Sequence, residues 1–109
     1  MEYNIYTIRK LISYNRIEWS GHILKKMQQR NIKIKDVLKT IENGRIIEDY
    51  EYDKPFPSCL ILGFSDDKGL HVVCSVGQDV GGLDYVCMIT AYYPCKNKWH
   101  EDLETRRKY

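Results

Sequence analysis

The 109-residue chain has four cysteines but no C-x-x-C pair, which argues against zinc-ribbon and thioredoxin-like chemistry. It has no stretch near the roughly 18 apolar residues that span a bilayer. Its opening, MEYNIYTIRKLISYN, carries Glu2, Arg9 and Lys10 and lacks the continuous apolar segment of a secretory signal. A cytoplasmic location without a membrane partner is therefore expected. H-E-x-x-H, phosphate-loop and dinucleotide-binding patterns are missing. So is a carboxylate cluster suited to magnesium, and neither a cofactor nor a metal is expected. Strong charge is lacking too: a net charge of +2 permits an anionic partner without demanding one. Repeats and low-complexity segments are absent.

What remains is the composition of one globular domain spanning residues 1–109, at 43% hydrophobic and 29% charged. Apolar spacing predicts a helix over 3–15, with Ile5, Ile8, Leu11 and Ile12 on one face and Asn15-Arg16 ending it. A second helix is predicted from about Gly21 to Arg30, with Ser20 as N-cap and Ile23, Leu24 and Met27 as its stripe. A third covers about Ile34 to Asn43, where Gly44 is expected as a left-handed stop. The period then changes. Strands are predicted at 45–52, 58–64, 70–77 and 84–93, with SDDKG as a turn and Pro94 closing the sheet. In the first of these Ile46, Glu48, Tyr50 and Tyr52 alternate with Ile47, Asp49 and Glu51. Short connections make such strands antiparallel neighbours. The expected fold class is α+β: N-terminal helices packed on a four-stranded antiparallel sheet. Residues 99–108 are open to a short helix or a loose tail. Cys59, Cys74 and Cys87 fall in strand patterns and are expected to be buried, reduced thiols.

Several side chains could carry chemistry. His22 lies in the first turn of the second helix, where free N–H groups and the helix dipole disfavour the imidazolium. A neutral imidazole there can accept a proton, and the same helix end attracts phosphate. Lys26 and Arg30 continue a polar ridge along that helix, a surface that solvation alone would also explain. His71 opens a strand and shares a face with Val73 and Ser75, away from Leu70, Val72, Cys74 and Val76. Thr90 and Tyr92 share one face near the end of the last strand, with Ile89, Ala91 and Tyr93 on the other. A hydroxyl and a phenol placed so can donate to a phosphoryl oxygen, or simply fill a sheet. Trp99 is either a platform for a base or an anchor for the tail.

Together, His22, His71, Arg30, Thr90 and Tyr92 form a sufficient kit for RNA cleavage without a metal. A base takes the 2′-OH proton, an acid protonates the leaving 5′-oxygen, and cationic and hydroxyl donors stabilise the phosphorane. Lys26 and Trp99 are candidates for substrate binding. His22, His71 and Tyr92 are expected to converge in a solvent-open cleft. Two rival functions stay open: a non-catalytic module binding protein or nucleic acid, and a hydrolase of a small phosphorylated molecule.

The stretches WSGHILKKMQQRNIKIKDVLKTIENGRIIEDY, PSCLILG, LHVVCSV and ITAYYP, within about residues 17–95, resemble the bacterial family called domain of unknown function 4258. Its members look like distant relatives of RelE/ParE-like toxins, and some are encoded beside a zinc-finger antitoxin. The resemblance implies a RelE-like fold and the setting of a type II toxin–antitoxin system. It implies RNA as a partner, free or on the ribosome, and an antitoxin of the kind that carries a zinc finger and a helix-turn-helix. His22, Arg30, His71, Thr90 and Tyr92 stand at the positions that carry the resemblance.

Overall fold

A computed structural model describes residues 4–108. The elements run α1 (Ile5–Ser13), β1 (Ile17–Trp19), α2 (Gly21–Gln29), α3 (Ile34–Asn43), β2 (Arg45–Tyr50), β3 (Ser58–Ser65), β4 (Lys68–Gln78) and β5 (Asp84–Tyr92). The class is α+β, as expected, but the sheet is mixed and has five strands in the order β1-β5-β4-β3-β2. The added strand is β1, which pairs parallel to β5 through Ile17–Val86 and Trp19–Met88. Three residues are too few to show a period.

Local chemistry explains the helix ends. Asn4 and Ser20 cap α1 and α2 by accepting from the Thr7 and Ile23 N–H groups. Helix α1 begins at Ile5, and the expected start at Tyr3 lies outside the described residues. Two asparagines stop α1 and α2 in the same way. Asn15 and Asn31 adopt φ of 56° and 57°, and the next N–H reaches back to Leu11 and Met27 respectively. Gly44 after α3 is not left-handed, contrary to expectation: its backbone is extended. It is needed for close approach instead, because a Cβ there would strike the carbonyl oxygens of Thr40 and Leu62.

The helices cover one face of the sheet. Ile8, Ile23, Met27, Val37 and Ile41 pack there against Cys59, Ile61, Val72, Cys74, Val86, Met88 and Ala91. Cys59 and Cys74 face each other across β3 and β4 in this core, as buried small hydrophobes. Their contact, together with burial, pushes the Cys74 thiol well up from its usual range. Cys87 is only half-buried and Cys95 is exposed. Among the described residues, no helix is long and apolar enough to cross a membrane.

Two β-bulges set what the opposite face displays. In β2, Ile46 pairs with Ile61 but Glu48 pairs with Leu60, so Ile47 is the extra residue. The simple alternation expected for this strand therefore fails: Ile46 packs on the helix-side core, while Glu48 and Tyr50 face the other way. In β5, Thr90 pairs with Val73 and Met88 with Cys74, leaving Ile89 unpaired. Ala91 stays in the core but Ile89 does not join it; it is exposed.

The tail beyond Pro94 is neither a helix nor loose. Residues 95–107 fold back as a narrow loop, with Trp99 bridged to Arg106 and the His100 N–H donating to the Thr105 carbonyl at 2.8 Å. Asp102 holds the turn by accepting from the Glu104 and Thr105 N–H groups. The Leu103 side chain fits over Gly69, where a Cβ would overlap it. This loop roofs the second face of the sheet.

Candidate functional site

On the roofed face the register aligns residues in rows across four strands. Arg45, Leu62, His71 and Tyr92 form one row. Glu48, Leu60, Val73 and Thr90 form the next, and Tyr50, Ser58, Ser75 and Cys87 the third. Without the Ile89 bulge, Ala91 would stand opposite His71. Without the Ile47 bulge, Ile47 would take the place of Glu48. Both bulges thus turn polar side chains towards one spot, a use common beside functional sites.

His71 is the centre of that spot and is wholly buried. Its Nε2 lies 2.7 Å from the Leu103 carbonyl oxygen, which can only accept, so Nε2 carries the proton. Nδ1 is then the free acceptor, with the Tyr92 hydroxyl 3.3 Å away. The Tyr92 and Trp99 rings stand edge-on to the imidazole, with centroids at 5.3 and 4.5 Å. Burial lowers the His71 pKa below its usual value and raises that of Tyr92. Both groups are thereby held neutral, the phenol protonated and the imidazole with Nδ1 as its acceptor.

An ion pair flanks this centre. Both Arg106 guanidinium donors lie 2.9 Å from the Glu48 carboxylate, and the guanidinium stacks 4.6 Å above the Trp99 ring. The Tyr50 hydroxyl donates to Glu48 at 2.6 Å. Arg106 holds the Glu48 carboxyl below its usual range, and Glu48 in return raises the guanidinium. Burial, then Glu48, pushes the Tyr50 phenol up to about 12. A second pair, Arg45 with Glu104, ties the loop to the edge strand.

Arg30 approaches from the helix side. Strand β1 ends at Trp19, opposite Met88, so β5 has a free edge beyond the Ile89 bulge. Arg30 reaches that edge, donating to the Ala91 carbonyl at 2.8 Å and to the Thr90 hydroxyl at 3.4 Å. Of the candidate residues, Arg30 thus meets Thr90, and His71 meets Tyr92, on consecutive rows of β5. His22 is not joined to them. It is exposed at the other end of α2, eight residues from Arg30 and roughly 12 Å along the axis. Lys26 lies half-buried between them.

The solvent-open cleft expected around the histidines is not found, because Trp99 and Leu103 roof His71. Trp99 is itself 3% exposed, so it is an anchor and offers no free stacking surface. Glu48, Tyr50 and Arg106 were missed by sequence reasoning. The Glu48 carboxylate, directly after Ile46 and Ile47 in the strand RIIEDY, was the available signal; Arg106, 58 residues away, gave none. Among the described residues, no three His, Cys, Asp or Glu side chains gather to hold a metal ion.

The model of one protein family, described as Domain of unknown function (DUF4258), matches residues 19–93. That span holds His71, Tyr92, Thr90, Arg30 and Glu48 and stops short of the loop with Trp99 and Arg106. No curated protein and no solved structure matches the chain.

Proposed function

The chain belongs to the DUF4258 family, and from that premise we propose that it is a RelE-like, metal-independent endoribonuclease acting as the toxin of a type II toxin–antitoxin pair in the cytoplasm. The observation that carries the reading is the shared strand end. The Tyr92–His71 contact and the Arg30–Thr90 contact occupy consecutive rows of β5. RNA approaches the free edge of β5, where Arg30 is exposed and Thr90 and Tyr92 are half-buried.

In the proposed step, Tyr92 takes the 2′-OH proton of RNA as its own phenolic proton passes to Nδ1 of His71. The O2′–P bond forms and the P–O5′ bond breaks, and water protonates the leaving 5′-oxygen. Arg30 and Thr90 donate to the non-bridging oxygens, whose charge grows in the phosphorane. The Leu103 carbonyl stabilises the imidazolium through Nε2–H, and the Trp99 roof keeps water from competing for Nδ1. His22 has no part in this step. An antitoxin and ribosome-bound RNA are the partners this reading calls for.

Expression of the chain alone is expected to slow bacterial growth. Purified protein is expected to cleave RNA in EDTA and leave a 2′,3′-cyclic phosphate. Absence of growth inhibition, together with no cleavage on or off ribosomes, would contradict the reading. The complete burial of His71 favours a second one, a binding module in which the polar cluster only fastens the loop. On that reading RNA binds without being cleaved, and Arg30→Ala weakens the binding.

A further inference from the structure

Helix α3 runs beside two surface depressions that the cleavage reading does not use. The first, of about 290 Å³, is lined by Leu24, Met27, Ile32, Lys33 and Ile34 among others. The second, of about 420 Å³, is lined by Ile12, Leu38 and Ile41, with Arg9 and Glu42 at its polar margin. Ile34 lines the first and Leu38 the second; four residues apart, they lie one above the other on α3, so the two hollows follow one another along a single helix face, here called the valley. The valley floor is apolar and open: Leu24 is 40% and Ile34 46% exposed. From Ile34 to Ile41 it extends roughly 10 Å, the length of about two helical turns.

The segment that forms the first hollow is positively charged. Residues 24–35, LKKMQQRNIKIK, contain Lys25, Lys26, Arg30, Lys33 and Lys35 and no carboxylate. These five positive charges, with no carboxylate among them, exceed the net +2 of the whole chain. Arg30 is engaged at the β5 edge, Lys33 lines the first hollow, and Lys25 and Lys35 are exposed next in the chain to Leu24 and Ile34. Glu42 lies at the far, second hollow beside Arg9, and Asp36, on α3 next to Lys35, accepts from the Lys33 N–H and the Ser65 hydroxyl. We propose that this valley docks an acidic, amphipathic helical segment of a partner protein, its apolar stripe on Leu24, Ile34 and Leu38 and its carboxylates towards the lysines. Helix-in-groove recognition uses this combination of apolar anchors at helical spacing and flanking charge. RNA fits it less well, since bases stack on aromatic rings and the floor here is aliphatic.

The proposal does not rest on RNA cleavage. Its probe is a synthetic amphipathic peptide of about 18 residues, with leucines at helical spacing and glutamates on both flanks. A twin peptide carries lysines instead. Titration into the full-length protein, followed by amide shifts in NMR, should move signals of α2 and α3 with the acidic peptide. The lysine twin should bind at least roughly tenfold more weakly. Ile34→Asp should weaken the acidic peptide by about tenfold or more and Lys33→Glu/Lys35→Glu by several-fold. Val80→Asp, in the exposed loop before β5, should leave binding unchanged. Ile34 and the two lysines are exposed, so these variants are expected to fold, and their amide spectra verify it. Equal binding of the two peptides, shifts elsewhere, or no binding by the acidic peptide would overturn the proposal. So would a single-stranded RNA that shifts these same amides when the acidic peptide does not.

Discussion

The two faces of the sheet are built from the same strands and hold their covers by different means. On the helix side, apolar side chains meet apolar side chains, and the contact is spread over three helices. On the other side, one short loop is fastened at points: Trp99 on His71, Arg106 on Glu48, Glu104 on Arg45, and the Leu103 carbonyl on Nε2. The first kind of cover is cooperative with the whole fold. The second places titratable groups in a dry setting without making the fold depend on each of them. Leu103 illustrates the cost: its φ of 60° is a conformation roughly 1–2 kcal/mol unfavourable for a residue with a Cβ. Backbone strain of this kind tends to gather at functional sites.

The comparison is broken most severely from the helix side. Ile41→Ala removes a fully buried side chain facing β3 and should cost about 2–5 kcal/mol of global stability by denaturant titration. Trp99→Ala deletes a larger side chain, yet the loss is bounded by what docking the loop contributes. Its global transition should fall less than that of Ile41→Ala, while amide exchange around Trp99 and Leu103 rises sharply. Equal global losses for the two variants would show that the faces are not distinct.

Acid should loosen the loop before the helices. Burial lowers the His71 pKa from its usual 6.5, so the opened state binds the proton more readily than the closed one. The docking contributed by neutral His71 is complete above pH 6.5 and is lost as pH falls through the lowered value. Glu48, also lowered by Arg106, adds a second loss in the same direction at more acid pH. Trp99 fluorescence in a Trp19→Phe background should report both steps, and His71→Gln should remove the upper one. Asp102→Ala should have the smallest effect: faster exchange at the Glu104 and Thr105 amides, with the helix signals unchanged.

How much of this was legible in the sequence follows from the range of each interaction. Helices α2 and α3 were legible because their apolar period and the Ser20 cap are local. The pairing of β4 with β5, which brings the ends holding His71 and Tyr92 together, followed from a short connection, while the pairing of those two residues needs the Ile89 bulge. The bulges were not legible, since an extra residue at Ile47 or Ile89 leaves no mark in residue type. The roof was not legible because its partners are remote: Arg106 meets Glu48 58 residues away and Leu103 meets His71 32 residues away. The same gap misled the expectation of an open cleft, since nothing local announces that Trp99 covers His71. His22 was singled out for its place at a helix start, a real feature of α2. A helix end alone does not bring a side chain to a site at the other end of that helix.

The most direct test of the proposed proton transfer between Tyr92 and His71 is single-turnover RNA cleavage in EDTA by the wild-type chain and three variants. The account predicts that His71→Gln and Tyr92→Phe slow cleavage by about 10²–10⁴-fold, while His22→Ala stays within a few-fold of wild type. Wild-type rates in both His71→Gln and Tyr92→Phe, or loss of cleavage in His22→Ala alone, would contradict it.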